Sequence, residues 1–318
     1  MHNIVFLDRK TIPEFISIPT PEFEHHWQAF DKTSPNQVIE RAKDATIIIT
    51  NKVILNRELI EQLPHLQMIA IAATGTNNVD LAYCAEKGIA VSNIRGYADK
   101  TVPEHVVAMI FALRRNLLAY HNDIKNQQIW QQCEQFCFFT HPIKDVANST
   151  LGIIGSGSLG SAIKVLATAL GMKVLFAERK GATSCREGYL PFEQVLAESD
   201  ILTLHCPLTE STTNLIDTAE FSQMKPEAIL INTGRGGLVN ETALVEALKS
   251  GIIAGAGVDV FTQEPAPNDN ILVQNADLPN LILTPHVAWG SESAITTLVN
   301  QLISNITAFV EGKEQNRV

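Results

Sequence analysis

The 318-residue sequence is poor in aromatic side chains (6%), in cysteine (five) and in positive charge, with 24 Lys and Arg against 34 Asp and Glu for a formal net charge of −10. The shortage of cations argues against a nucleic-acid-binding surface, which needs Lys and Arg to neutralise phosphates. The cysteines (Cys84, Cys133, Cys137, Cys185 and Cys206) are odd in number and scattered. Cys133 and Cys137 lie close together, but no second Cys or His pair follows at zinc-ligand spacing, so neither a disulfide framework nor a metal site is expected. They read as reduced thiols of a cytoplasmic protein. No apolar run approaches the ~20 residues needed to cross a bilayer. The N-terminus, Met1-His-Asn-Ile-Val-Phe-Leu-Asp8, begins as a strand rather than a basic leader, so no membrane partner is expected.

What is present is alternation, in a chain long enough for two domains with their own cores. Short apolar runs at Ile4–Leu7, Thr46–Thr50, Gln67–Ala73 and Ile89–Val91 are separated by helix-period segments around Gln37–Lys43, Arg57–Gln62 and Leu81–Lys87. Asn56 and Asp80 are placed to cap the latter two helices. Thr101–Tyr120 reads as one long helix, followed by a Gln-rich stretch, 121–146, in which Trp130, Phe136, Phe138 and Phe139 crowd together. That cluster suits a subunit contact better than packing on a neighbouring domain. Strands are expected again near 152–154, 173–177, 201–205, 229–232, 255–260 and 281–284. A final helix over 291–311 carries Ala294, Leu298, Leu302, Ile306 and Phe309 on one stripe. The pattern predicts an α/β protein with two doubly wound parallel sheets.

One stretch is more specific. In Thr150-Leu-Gly-Ile-Ile-Gly-Ser-Gly-Ser-Leu-Gly160 an apolar strand opens through Gly155, Gly157 and Gly160 into a helix that begins at Ser158-Leu159. The three glycines serve a tight turn, the approach of a pyrophosphate to the backbone, and close helix–strand packing. The free N–H groups of the helix start then face the phosphates. The following strand ends at Glu178, where a carboxylate would hold the adenosine ribose 2′-hydroxyl. Arg179 and Lys180 come next and are within reach of a 2′-phosphate. A carboxylate facing that phosphate would repel it, so NAD is expected rather than NADP. The second sheet is therefore read as Rossmann-like.

Three strand exits carry unusual polar residues: Ile229-Leu-Ile-Asn-Thr-Gly-Arg-Gly-Gly-Leu238, Gly257-Val-Asp-Val-Phe-Thr-Gln-Glu-Pro265 and Leu283-Thr-Pro-His-Val-Ala-Trp289. Arg235, Glu264 and His286 form a sensible set for reducing a 2-oxo acid. A guanidinium holds a carboxylate through a forked pair of hydrogen bonds and polarises the carbonyl. A protonated imidazole gives its proton to the carbonyl oxygen, with a carboxylate partner to orient it. Asp259, if buried in its strand, requires hydrogen-bond donors, and a carboxamide is one. His105 reads as a structural histidine, and Cys206 has no paired base to make it a nucleophile.

These strings, with Ala73-Thr-Gly-Thr-Asn-Asn-Val-Asp80, Thr101-Val-Pro-Glu-His105 and His205-Cys-Pro-Leu-Thr209, make the chain resemble the D-isomer-specific 2-hydroxyacid dehydrogenase family, in particular its glycerate dehydrogenase/hydroxypyruvate reductase branch. The likeness runs nearly end to end. It implies NAD-dependent reduction of a short 2-oxo acid such as hydroxypyruvate or glyoxylate to its D-2-hydroxy acid, and the reverse. It implies Arg235, Glu264 and His286 as the catalytic set. Cofactor contacts would come from Thr74, Thr101, Gly155, Gly157, Ser158, Leu159, Gly160 and Glu178. Further ones would come from His205, Cys206, Pro207, Thr212, Thr233, Gly234, Asp259 and Ala288, with Arg235 and His286 also near the coenzyme. Substrate contacts would come from Lys52, Thr74, Gly75, Arg235 and His286. The resemblance further implies a discontinuous substrate domain (1–99 plus 290–318), a nucleotide domain (100–289) carrying a dimerisation arm near 120–146, a cleft between the domains, and a homodimer. The alternatives are a D-3-phosphoglycerate or D-lactate dehydrogenase-like activity on the same scaffold, or a non-catalytic NADH-sensing regulator.

Overall fold

The computed structural model describes residues 1–318, the side chain of Gln127 excepted. The chain divides into two compact units, Met1–Ala98 with Gly290–Val318, and Asp99–Trp289.

The first unit is built on strands β1 (His2–Phe6), β2 (His25–Ala29), β3 (Ile47–Thr50), β4 (Met68–Ile71) and β5 (Ala90–Ser92), all parallel, in the order β2-β1-β3-β4-β5. Every residue of β3, β4 and β5 is buried. Such continuous apolar strands are the mark of a parallel sheet covered on both faces. β2 is the exception: an edge strand with no fully buried residue, His25-His-Trp-Gln-Ala29, which the hydrophobic pattern does not reveal. The expected caps are in place, Asn56 Oδ1 accepting from Leu59 N at 3.1 Å and Asp80 Oδ1 from Tyr83 N at 2.9 Å. Helix Glu292–Val310 packs on β4. By length and composition it would suffice to cross a membrane, contrary to the reading of the sequence. Its stripe of Ala294, Leu298, Leu302 and Ile306 is buried in the unit, as in the core helix of a globular domain.

The second unit holds β6 (Thr150–Ile154), β7 (Lys173–Ala177), β8 (Tyr189–Leu190), β9 (Ile201–Leu204), β10 (Ile229–Asn232), β11 (Gly255–Val258) and β12 (Leu281–Leu283). They form one parallel sheet in the order β12-β11-β10-β9-β6-β7-β8. The order reverses direction between β6 and β9, the switch point at which open α/β sheets bind ligands beyond their strand ends. The expected helix over 101–120 is broken. It stops at Arg114, Asn116 adopts a left-handed conformation (φ 49°), and a second helix spans Leu117–Asn122. Leu117 and Leu118, which continue the apolar period on paper, are exposed. The Asn116 side chain donates to the Pro142 carbonyl at 2.6 Å, tying the break to the irregular segment that leads back toward β6.

Candidate active site

At the β6 exit the three glycines behave differently. Gly155 has φ 101°, and a Cβ there would come within 2.6 Å of the His205 and Cys206 backbone. A Cβ on Gly160 would run into the Gly155 carbonyl. Gly157 faces open space and is the N-cap of helix Ser158–Ala169, with no side chain capping it. The first-turn N–H groups beginning at Ser158 and Leu159 are thus left for an outside acceptor.

Beside this loop lies a cavity of about 590 Å³, walled by Gly155, Glu178, Arg179, Arg186, Pro207 and Thr212 among others. Cys206 also lines it, and burial pushes its thiol pKa up, so a thiolate is disfavoured. The hydroxyl of Thr212 donates to the Pro207 carbonyl at 2.8 Å and closes that wall. Glu178 lines the cavity, but its carboxylate is engaged. Arg186 donates to it from Nε at 2.7 Å and Nη2 at 2.9 Å, and the backbone N–H groups of Arg179 and Arg186 donate at 2.9 and 3.1 Å. The Arg186 pair, followed by the two backbone bonds, holds the Glu178 pKa down to about 2.

Further along the same sheet edge, β10, β11 and β12 deliver the three polar strand exits side by side. His286 Nδ1 lies 2.7 Å from Glu264 Oε2, while Glu264 Oε1 accepts from Phe261 N at 3.0 Å. An ionised carboxylate only accepts, so Nδ1 carries the proton of this bond and Nε2 is the nitrogen left to exchange a proton with a ligand. The His286 backbone is left-handed (φ 55°), an uncommon state for a non-glycine residue. Asp259 accounts for it. Its carbonyl accepts from His286 N at 2.8 Å, and its fully buried carboxylate accepts from Val287 N, Ala288 N and Thr284 Oγ1. The donors that a buried Asp259 requires are therefore supplied by the chain itself, which fixes the turn bearing His286. His105, on helix Thr101–Arg114, reaches the same network through Thr284 at 3.2 Å.

Arg235 is exposed, its guanidinium donating to the Gly234 carbonyl at 2.7 Å. Asn232, which sequence reasoning passed over, braces this turn by donating to the Arg235 carbonyl (2.9 Å) and accepting from Gly234 N (3.1 Å). An Asn at the last position of a buried strand was the available signal. Thr101 Oγ1 donates to the Ala288 carbonyl at 3.3 Å, joining two of the expected cofactor residues. The buried Thr233 hydroxyl and His205 Nδ1 have no partner among the described residues. Such orphaned polar atoms beside an uncapped glycine loop fit an incoming dinucleotide. In the first unit Lys52 follows the end of β3 and Thr74-Gly75 follows β4. Thr74 Oγ1 donates to the Ile94 carbonyl at 2.7 Å.

Comparison with known proteins decides the assignment. Residues 107–288 match the model of the D-isomer specific 2-hydroxyacid dehydrogenase, NAD binding domain. The chain belongs to the D-isomer specific 2-hydroxyacid dehydrogenase family. Among its relatives in that family is a glycerate dehydrogenase of Methylorubrum extorquens, 49% identical and covering 99% of this chain and 98% of its own. A hydroxypyruvate reductase of Blautia hydrogenotrophica is 35% identical over 91% and 90% of the two chains. A D-lactate dehydrogenase of Aquifex aeolicus, solved with NAD and lactic acid, superposes with a TM-score of 0.80 at 27% identity, covering 98% of this chain and 96% of that one. The family named from the motif strings is thereby borne out, as is the fold class of two parallel-sheet α/β domains.

Proposed function

We propose that the protein is a D-2-hydroxyacid dehydrogenase that reduces a short 2-oxo acid, hydroxypyruvate or glyoxylate, to D-glycerate or glycolate with NADH, and runs the reverse oxidation. The observation that carries this reading is the 2.7 Å His286–Glu264 contact at the strand exits of the dinucleotide-binding unit. A sensor of NADH has no use for an oriented proton donor. The bound nicotinamide supplies the hydride. Arg235 holds the substrate carboxylate through its fork and draws charge toward the carbonyl oxygen. His286, protonated, gives the Nε2 proton to that oxygen as it becomes an alkoxide, and takes it back in the oxidation. Glu264 fixes the ring through Nδ1 and stabilises the imidazolium that the oxidation leaves.

Gly155, Gly157, Ser158, Leu159 and Gly160 receive the pyrophosphate, and Cys206, Pro207 and Thr212 wall the adenosine. Thr233, Gly234 and His205 would hold the remainder of the dinucleotide, a reading supported by the unpartnered buried Thr233 hydroxyl and His205 Nδ1. Lys52, Thr74 and Gly75 act as substrate contacts, supported by their strand-end positions and by likeness to the glycerate-using relatives. The nearly bare Phe136 and Phe139 (88% and 78% exposed) support a homodimer through the arm. The five unpaired cysteines support a reducing, cytoplasmic compartment.

A steady-state assay with NADH against hydroxypyruvate, glyoxylate and pyruvate tests the activity, with His286→Ala beside the wild type. The expected result is turnover on the first two, reduced at least ~10²-fold in the variant, the low end of general acid catalysis, with NADH binding retained. Tight NADH binding by the wild type without turnover on any acid would replace the enzyme with a sensor.

A further inference from the structure

A carboxylate at the end of the second Rossmann strand selects NAD only if it is free to accept from the ribose and to repel a phosphate. In this protein it is neither. Both Glu178 oxygens already accept two hydrogen bonds each, from Arg179 N and Arg186 Nη2 on one and from Arg186 N and Nε on the other. That uses the lone-pair sites a carboxylate offers. Its charge is cancelled at 2.7 Å by a guanidinium whose opposite edge remains available. Arg186 is held at the wall by stacking on Tyr189, 3.9 Å from the ring centroid, and the Tyr189 hydroxyl bonds Ser156 Oγ of the glycine loop. Lys180 is neutralised by Glu220 at 2.8 Å. The Arg179 guanidinium is exposed and has no hydrogen-bond or ion-pair partner among the described residues. Glu178, Arg179, Lys180 and Arg186 all line the same cavity, and once the two ion pairs are set aside one uncompensated cation is left there.

We propose that this cavity accepts a 2′-phosphate, held by the free edge of Arg186 and by Arg179, so that the enzyme takes NADPH as well as NADH. The proposal rests on the coenzyme reading above and specifies its adenosine end. Arg186 is then the specificity-determining residue. It silences the acid that would reject NADPH, and it offers the planar fork suited to a phosphate. The sequence places it eight positions beyond Glu178, past Gly181-Ala-Thr-Ser-Cys185, where no pattern links the two. The Arg186 pair holds the Glu178 pKa well below the usual carboxylate range, so the carboxylate stays ionised and matched at neutral pH.

Calorimetric titration of the full-length protein with NADH and with NADPH, without substrate, tests this independently of turnover. The expected result is a Kd for NADPH within about tenfold of that for NADH. Arg186→Ala, which frees Glu178 and removes the fork, is expected to weaken NADPH at least tenfold more than NADH. Arg186→Lys, retaining charge without the fork, is expected to fall between. Circular dichroism confirms that the variants fold. NADPH binding more than tenfold weaker than NADH in the wild type, or equal weakening of both coenzymes by Arg186→Ala, overturns the proposal while leaving the dehydrogenase reading intact. Failure of both coenzymes to bind the wild type brings down that reading as well.

Discussion

The two units share a parallel, doubly wound sheet, and their strand exits meet the same difficulty: backbone N–H groups that the sheet does not pair. They solve it oppositely. In the first unit the chain supplies its own anion. Asp8, just past β1, accepts from Asn51 N at 2.9 Å, Lys52 N at 2.6 Å and Val53 N at 3.2 Å, closing the turn after β3. Burial nevertheless pushes the Asp8 pKa up, against the pull of those three N–H groups. In the second unit the corresponding donors at the start of helix Ser158–Ala169 are left without a side-chain acceptor, and buried Thr233 and His205 atoms lack partners among the described residues. A shared architecture thus does not decide function; which unit leaves its donors unfilled does.

The largest effect expected from this contrast is structural. Asp8→Ala strips the acceptor from three backbone donors, that of Asn51 buried and those of Lys52 and Val53 part-buried. It is expected to lower the unfolding free energy by about 3 kcal/mol, the upper range for leaving buried donors unsatisfied. Urea denaturation reads this, and calorimetry with NADH on the folded variant is expected to show an unchanged Kd. If Asp8→Ala is neutral in stability yet abolishes coenzyme binding, the first unit's carboxylate is not the internal anion described here.

The converse experiment gives the second unit an anion of its own. Gly157 has an ordinary φ of −65°, and a Cβ added there meets no atom within 4 Å. Gly157→Asp is therefore accommodated, and it caps the helix start for a gain of a few tenths of a kcal/mol. Its carboxylate occupies the donors meant for a phosphate. NADH affinity is expected to fall at least about tenfold, the scale of one lost charge-assisted hydrogen bond. A variant that binds NADH as the wild type does would show that the phosphates do not use this helix start.

How far this was legible beforehand follows the same line. Periodicity exposes whatever is buried by repetition, so β3, β4 and β10, the capped helices and the glycine loop could be read directly. The strand exits were legible because Arg, Glu and His are out of place beside apolar runs. Edge strand β2 was hidden because none of its residues is fully buried, and its alternation of half-buried and exposed positions falls on His, His, Trp and Gln rather than on apolar and polar types. The break at Asn116 was hidden because Leu117 and Leu118 continue the apolar spacing while facing solvent. Asp8 and Arg186 were missed for a different reason. Each acts through a contact that no local pattern encodes, Asp8 across more than forty positions to Asn51 and Arg186 back across a loop to Glu178.

The smallest expected effect sharpens the contrast at one atom. His205 Nε2 shares a hydrogen bond with Thr203 Oγ1 at 2.7 Å, while its buried Nδ1 has no partner among the described residues. Burial lowers its pKa from 6.5 to about 4. Between those values the unfolded chain takes up a proton that the native state refuses, so stability falls as pH drops from about 6.5 toward 4. With allowance for the partial exposure of the ring, the loss between pH 7 and pH 5 is expected to be on the order of 1 kcal/mol. His205→Asn removes the titrating group. Urea unfolding of both proteins at the two pH values is expected to show the wild type losing more stability than the variant by about that amount. Equal losses would mean that His205 is free to protonate in the native state, and that the exit of β9 is wetter than its burial implies.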